Sequence, residues 1–482
     1  VAPSALAALA SSLDREIDEV HSLMVVRHGQ VVAEGWWDPY GPDRPHLLYS
    51  LTKSFTSTAV GLAVGEGLLS LDDPVVKFFP GVAPARPSRH LAALTVRHLL
   101  TMSTGRLTDS LMDCVTDRTG DWVRGFFAQP WLQAPGDPFV YDSGASHVLG
   151  ALVTAVTGQD LRAYLMPRLF EPLGIAEPRW ETDPRGRRTG GFGLSLTTED
   201  IAKFGLLCLQ DGAWEGRQLL PTGWVAQATA KQVDTDRFAP GTHPEWLSGY
   251  GFQFWRNSVG GYRADGAHGQ YCVVLPEHDL VVVLTEGTGD GGGALQRVWK
   301  HLLPGLSDRL QPEDPREVRG LTVLLGALGH RPPAGERHSD LETTLRGRKF
   351  VLEKNPFGFR EVRVRFDAGG MGLEVAGKTK VHRLEAGRGA WREAPSDLLD
   401  RPEPRDPRET APAAALVSAF AWTGPRSLTI VARMVETPYR FTLVLAFEDG
   451  RFRAEVSANV AMGVPPSYPR LVGVERRAAK DR

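Results

Sequence analysis

The sequence predicts an α+β domain followed by a separate, mostly β domain. Three observations carry this: β-rich runs near residues 30 and 280 bracket a long helical stretch, a proline-punctuated break falls near residue 310, and short alternating runs dominate beyond it. At 482 residues the chain exceeds what one hydrophobic core ordinarily serves, so two domains are the natural starting expectation.

Along the first domain, Asp14, Glu16, Asp18 and Glu19 follow an alanine-rich run, which suits an amphipathic surface helix better than a signal peptide. Residues 23–37 read as a hairpin, with Met24, Val25 and Val26 and then Val31 and Val32 flanking His28-Gly29-Gln30. Apolar periodicity predicts helices over 55–64, 146–156 and 200–209. Aromatic alternation over 250–255, and the valine-rich runs 271–275 and 280–285 joined at Pro276-Glu277-His278-Asp279, predict further strands. Strands at both ends with helices between imply one antiparallel sheet closed by N- and C-terminal segments.

Pro304, Gly305, Pro312 and Pro315 among charges mark a linker, giving expected domains at 1–303 and 320–482 around a linker at 304–319. Beyond it, residues 350–353, 361–366, 428–435 and 440–447 read as strands, the last closed by the turn Glu448-Asp449-Gly450. Residues 397–412, rich in Pro, Arg and acidic side chains, are expected to form a mobile loop.

Composition narrows the function. Hydrophobic residues at 42% and charged residues at 23% describe a globular chain. A net charge of −2 offers no electrostatic footprint for nucleic acid or an anionic membrane, and no apolar run is long enough to span a bilayer. Cys114, Cys208 and Cys272 are widely spaced and odd in number, so no disulfide framework or Cys-rich metal cluster can be read, and the 13 histidines form no HExxH. No metal and no cofactor is expected. A cytoplasmic location is the default expectation, with a removed leader left open by the absent initiator Met.

The chemical signal is Ser50-Leu51-Thr52-Lys53, just ahead of an apolar helix. Residues three apart share a helix face, so hydroxyl and amine can come within hydrogen-bond reach. A lone pattern of this kind also fits an N-cap serine followed by a surface lysine. Against that, no other lysine in the chain has a serine three residues earlier, and the positions after Lys53 are apolar enough to bury it. A buried lysine without a partner is costly. To be half neutral at pH 7, an ordinary lysine must give up about 4.6 kcal/mol, and a helix dipole supplies only about 0.3 to 1 kcal/mol of it. Burial and a second partner must supply the rest, and Tyr141, in Tyr141-Asp142-Ser143-Gly144, is the candidate proton shuttle. Asp265-Gly266-Ala267-His268-Gly269-Gln270-Tyr271 leads into a valine strand whose edge can offer an N–H to an oxyanion; alone it is an ordinary glycine-rich turn.

Taken in this order and spacing, Ser50-Leu-Thr-Lys53, Tyr141-Asp-Ser143 and the 266–271 strand resemble the serine β-lactamase and penicillin-binding superfamily. The nearest branch joins class C β-lactamases, family VIII carboxylesterases, D,D-peptidases and 6-aminohexanoate-oligomer hydrolases. The stretches 69–81, 94–105, 191–221 and 273–287 are similar too, so the resemblance covers about residues 22–303. It implies a β-lactamase/transpeptidase-like fold, an antiparallel sheet flanked by helices with an all-helical region, and an added β domain of lipocalin type. It further implies Ser50 as nucleophile, Lys53 as its base, Tyr141 as general acid/base, Ser143 as a substrate contact, and the N–H groups of Ser50 and Ala267 as the oxyanion hole. His268, Gly269 and Gln270 would complete the substrate-binding strand. One departure is informative: Gly266-Ala267-His268 stands where β-lactamases carry Lys-Thr-Gly or His-Thr-Gly, so a site for a β-lactam carboxylate is doubtful unless Arg263 replaces the cation.

The expected function is a serine hydrolase of small amides, esters or peptides acting through an acyl-enzyme. A D,D-peptidase or D-aminopeptidase, and a catalytically weak module that binds peptidoglycan or another ligand, stand as alternatives. Retention of Ser, Lys and Tyr together argues against decay, and no Gly-x-Ser-x-Gly elbow offers a rival nucleophile. Homo-oligomer formation is left open, and the C-terminal domain is expected to narrow access to the site.

Overall fold

The computed structural model describes residues 1–238, 242–309, 314–402 and 414–476. Two compact units emerge: Val1–Trp36, Pro42–Glu286 and Asp290–Leu328 form the first, and Trp37–Gly41, Gly287–Gly289 and Gly329–Arg482 the second.

In the first unit, helix α1 (Pro3–Glu16) leads into β1 (Val20–Arg27) and β2 (Gln30–Trp36), the expected hairpin. Helices α2 (Thr52–Gly65), α3 (Ser143–Thr157) and α4 (Thr198–Leu209) follow, and then β3 (Trp255–Arg256), β4 (Tyr262–Gly266), β5 (Gln270–Leu275) and β6 (Leu280–Glu286). The sheet order β2-β1-β6-β5-β4-β3 is antiparallel throughout and places this sheet's first and last strands side by side, Leu23 opposite Leu284 and Val25 opposite Val282. Strands β1 and β6 are buried along their whole length, in keeping with the apolar runs Leu23–Val26 and Leu280–Leu284 at their centres.

Helix α4 packs on β1, β5 and β6, and α2 packs on α3. Phe55 of α2 stacks on Phe204 of α4 with centroids 4.0 Å apart, so one core joins the sheet to the helical region. Asp142 caps α3 by accepting from Gly144 and Ala145, and Gly158 ends it with φ +72°. Among the described residues no helix is long and apolar enough to cross a membrane.

Two expectations need correction. The proline-punctuated stretch is not the boundary between the units. Pro315 opens a helix, α5 (Pro315–Gly326), capped by Asp314, that packs on α1 and β2 and extends the first unit to Leu328. A proline in a first turn starts a helix as readily as it marks a linker. The aromatic alternation at 250–255 is not one strand either: Gln253 has φ +64°, and its carbonyl and side-chain amide are tied into the helical region by Ser54, Ser146, Leu99 and Leu100.

In the second unit, ten strands between Lys349 and Glu475 form one sheet. A parallel pairing of Gly387 and Arg388 with Ala419 and Phe420 closes it. Strand Arg392–Ser396 lies outside that closure, so the ring holds nine strands, one more than a lipocalin barrel. The predicted turn at Asp449-Gly450 joins Arg440–Glu448 to Arg451–Ala458 with both turn residues at positive φ. Of the expected loop at 397–412, residues 403–412 lie outside the described residues.

Candidate active site

Ser50 is the middle residue of a 3-10 turn, Tyr49–Leu51, that feeds directly into α2. Lys53 follows on the same face and is 1% exposed. Its Nζ donates to Ser50 Oγ at 2.8 Å, to the Gly191 carbonyl at 2.9 Å and to Ser143 Oγ at 3.2 Å. Three donors therefore meet three acceptors, which satisfies an ammonium. In the neutral amine, two N–H groups can keep Gly191 and Ser143 while the lone pair faces the Ser50 hydroxyl. One geometry thus serves both protonation states.

The Tyr141-Asp142-Ser143 run is placed by its aspartate. Asp142 Oδ1 accepts from the Ser110 hydroxyl at 2.6 Å and the Ser110 N–H at 3.0 Å besides capping α3. Asp109 fixes the next residue, accepting from the Ser143 N–H at 2.9 Å. Tyr141, immediately before the cap, stacks on Trp255 with centroids 5.7 Å apart and planes 17° apart, beside Phe139 and Tyr250. Its ring centroid is 4.8 Å from Lys53 Nζ.

Burial sets the electrostatics. It lowers the Lys53 ammonium to about 8, although Asp109, Asp142 and Asp265 pull the other way. It raises the Tyr141 phenol strongly, opposed by a hydrogen bond with Ser50, so the phenol keeps its proton at neutral pH. Asp142 is held above the ordinary carboxylate range, by burial first and Asp109 second.

The third motif forms the turn Ala267–Gly269 between β4 and β5. Strand β4 runs hard against the segment ahead of Ser50: a Cβ on Gly266 would sit 2.1 Å from the Leu48 carbonyl oxygen, so only glycine fits there. That approach brings the turn close to the segment that carries Ser50. His268 has φ +65° and sets its ring edge-on to Tyr49 at 5.4 Å, and burial lowers its imidazole to about 4.

Ser50, Lys53, Tyr141 and Ser143 thus come together, with the Ala267 turn beside them. Gly269 and Gln270, expected to line the site, are instead buried beneath it: the Gln270 amide donates to the Glu286 carbonyl at 2.7 Å and to the Ala267 carbonyl at 3.2 Å. Arg263 cannot replace the missing motif cation. It is 0% exposed, and its guanidinium is taken up by Asp265, the Arg256 and Glu245 carbonyls and Asn257. Sequence reasoning missed the Gly191 carbonyl and Asp109. The paired Gly190-Gly191 was the available signal for the first; Asp109 carried none.

A family model described as Beta-lactamase matches residues 15–300. The 6-aminohexanoate-dimer hydrolase of Paenarthrobacter ureafaciens is 27% identical over 300 residues, 58% of this chain and 76% of that protein. Esterase EstB of Burkholderia gladioli is 31% identical over 203 residues, 36% of this chain and 51% of that protein. Among solved structures, EstCE1, a hydrolase with promiscuous acyltransferase activity, aligns with TM-score 0.53 at 18% identity over 62% of this chain and 99% of its own; the likeness is one of fold.

Proposed function

Because the chain belongs to the Beta-lactamase family, we propose that it is a serine hydrolase of amide or ester bonds that works through an acyl-enzyme on Ser50. The observation that carries this reading is the 2.8 Å contact between Lys53 Nζ and Ser50 Oγ in a buried setting that lowers the amine to about 8. About one Lys53 in ten is then neutral at pH 7 and able to act as base.

The proton of the Ser50 hydroxyl passes to Lys53, directly or through the Tyr141 phenol, as Oγ bonds to the substrate carbonyl carbon. The carbonyl π pair moves onto oxygen, where the N–H groups of Ser50 and Ala267 stabilise the charge. When that pair returns, the bond to the leaving group breaks, and the departing amine or alkoxide takes the proton through Tyr141, whose phenol burial keeps protonated. Water then attacks the acyl group with the proton transfers reversed, releasing the acid and restoring Ser50. Ser143, sharing the lysine, lies where a substrate polar group can replace one of its contacts.

The names of the relatives favour linear amides and esters as substrate classes. The test is a side-by-side screen of short-chain p-nitrophenyl esters and linear amides with wild type and Ser50→Ala. Turnover by wild type that is lost in Ser50→Ala is expected. Equal turnover by both proteins contradicts the reading.

A further inference from the structure

Glu286, the last residue of β6, is 0% exposed, and neither of its carboxyl oxygens has a hydrogen-bond partner among the described residues. A buried carboxylate without a cation or donor is among the most costly arrangements in a protein, so a carboxyl retained there is neutral and held for a reason. Its position suggests the reason. A Cβ on Gly269 would lie 2.1 Å from Glu286 Oε2 and 2.7 Å from Glu286 Cβ, so the side chain rests directly on the backbone of the turn's last residue. Gly269 has φ +92°, which glycine adopts freely, but it follows His268 at φ +65°, a left-handed conformation that a side-chain-bearing residue keeps only where its surroundings hold it.

The backbone of Glu286 is tied to the same turn. Gln270 donates from Nε2 to the Glu286 carbonyl at 2.7 Å and to the Ala267 carbonyl at 3.2 Å, and its Oε1 accepts from the Glu286 N–H at 3.4 Å. Main chain and side chain of Glu286 thus form a floor under Ala267–Gly269. The groups that bear on the carboxyl are Asp290 from the following segment and the Tyr271 phenol from β5, and neither brings a positive charge. Burial first and Asp290 second hold it well above the ordinary carboxylate range, in agreement with the packing.

We propose that Glu286 is a positioning residue, its protonated carboxyl packed against Gly269 so that the Ala267 N–H stays aimed at the oxyanion. The role rests on the reading of Ser50 as nucleophile and Ala267 as oxyanion donor. It acts on the transition state rather than on substrate binding, because the floor touches the turn and not the substrate.

The experiment compares Glu286→Gln, an uncharged isostere, with Glu286→Ala, using the full chain and a short p-nitrophenyl ester. Loss of a well-aimed oxyanion donor costs about 100-fold or more in kcat, and a loosened one part of that, so Glu286→Ala is expected to lose about tenfold with KM nearly unchanged. Glu286→Gln should restore most of the rate. Wild-type kcat in Glu286→Ala, or a loss in Glu286→Gln as deep as in Glu286→Ala, overturns the proposal. Should Glu286→Ala fail to fold, the infrared difference spectrum of wild type against Glu286→Gln at pH 7 decides: a protonated-carboxyl band lost in the variant supports the role, and its absence from wild type overturns it. That band is read without substrate, so failure of the Ser50 reading, shown by activity that survives Ser50→Ala, is recognised separately.

Discussion

Lys53 Nζ lies 2.8 Å from Ser50 Oγ and is held there by two further acceptors, the Gly191 carbonyl and Ser143 Oγ. The amine cannot swing away from the hydroxyl without breaking both. Removing it, or removing the phenol of Tyr141, should therefore damage chemistry far more than folding. Lys53→Ala and Tyr141→Phe are each expected to lose roughly 100-fold or more in turnover, the usual contribution of an acid–base group. Steady-state kinetics beside circular dichroism checks this, and near wild-type kcat in Tyr141→Phe with every substrate would leave that residue a structural role only.

The lowered lysine fixes the direction of the pH dependence. With Lys53 at about 8, the neutral fraction grows about tenfold per pH unit below 8 and levels off above it. For an uncharged ester, kcat/KM should rise from pH 6 and flatten beyond pH 8. A profile flat from pH 6 to 9 contradicts a lysine base.

The same group makes a statement about stability. Its folded value, about 8, lies below the unfolded one, so its charge destabilises the fold fully below pH 8, and the penalty fades between 8 and the ordinary lysine value. The full penalty is about 3 kcal/mol, a net figure that already contains the favourable contacts of the ammonium. Relative to Lys53→Met, wild type should gain stability as pH rises from 7.5 to 10 in denaturant titrations. A constant difference would show that the amine is not perturbed.

Arg263 bears on substrate choice. Because it is buried under its own strand and fully engaged, it offers no cation to a substrate carboxylate. Short p-nitrophenyl esters should be turned over clearly and cephalosporins weakly. A cephalosporin kcat/KM above that of the best ester would reverse this order.

What was legible in the sequence is what is local. Ser50 and Lys53 sit three apart on one helix face, a spacing visible in the sequence, whereas Tyr141 stands out only as a candidate partner until the order of the motifs and the family resemblance give it a role. The Gly191 carbonyl is 138 residues from the lysine it accepts from, and a backbone oxygen has no residue signature. Glu286 falls just beyond the strand predicted over 280–285, and only the packing of Gly269 onto it draws attention to it. The proline signal at 304–319 failed because Pro315 serves equally well at the start of α5. His268 lies beside the proposed oxyanion residue and invites a catalytic role. With its imidazole lowered to about 4 and its ring set against Tyr49, it is a weak base that shapes the turn, so His268→Asn should cost less activity than Lys53→Ala.

The central claim is that Ser50 is the nucleophile, and covalent labelling tests it most directly. Treatment with a fluorophosphonate, followed by intact mass and peptide mapping, should show one adduct on the peptide carrying Ser50, formed much more slowly in Lys53→Ala because the hydroxyl then lacks its base. A label on a different serine, or no label on protein that is active, would contradict the account.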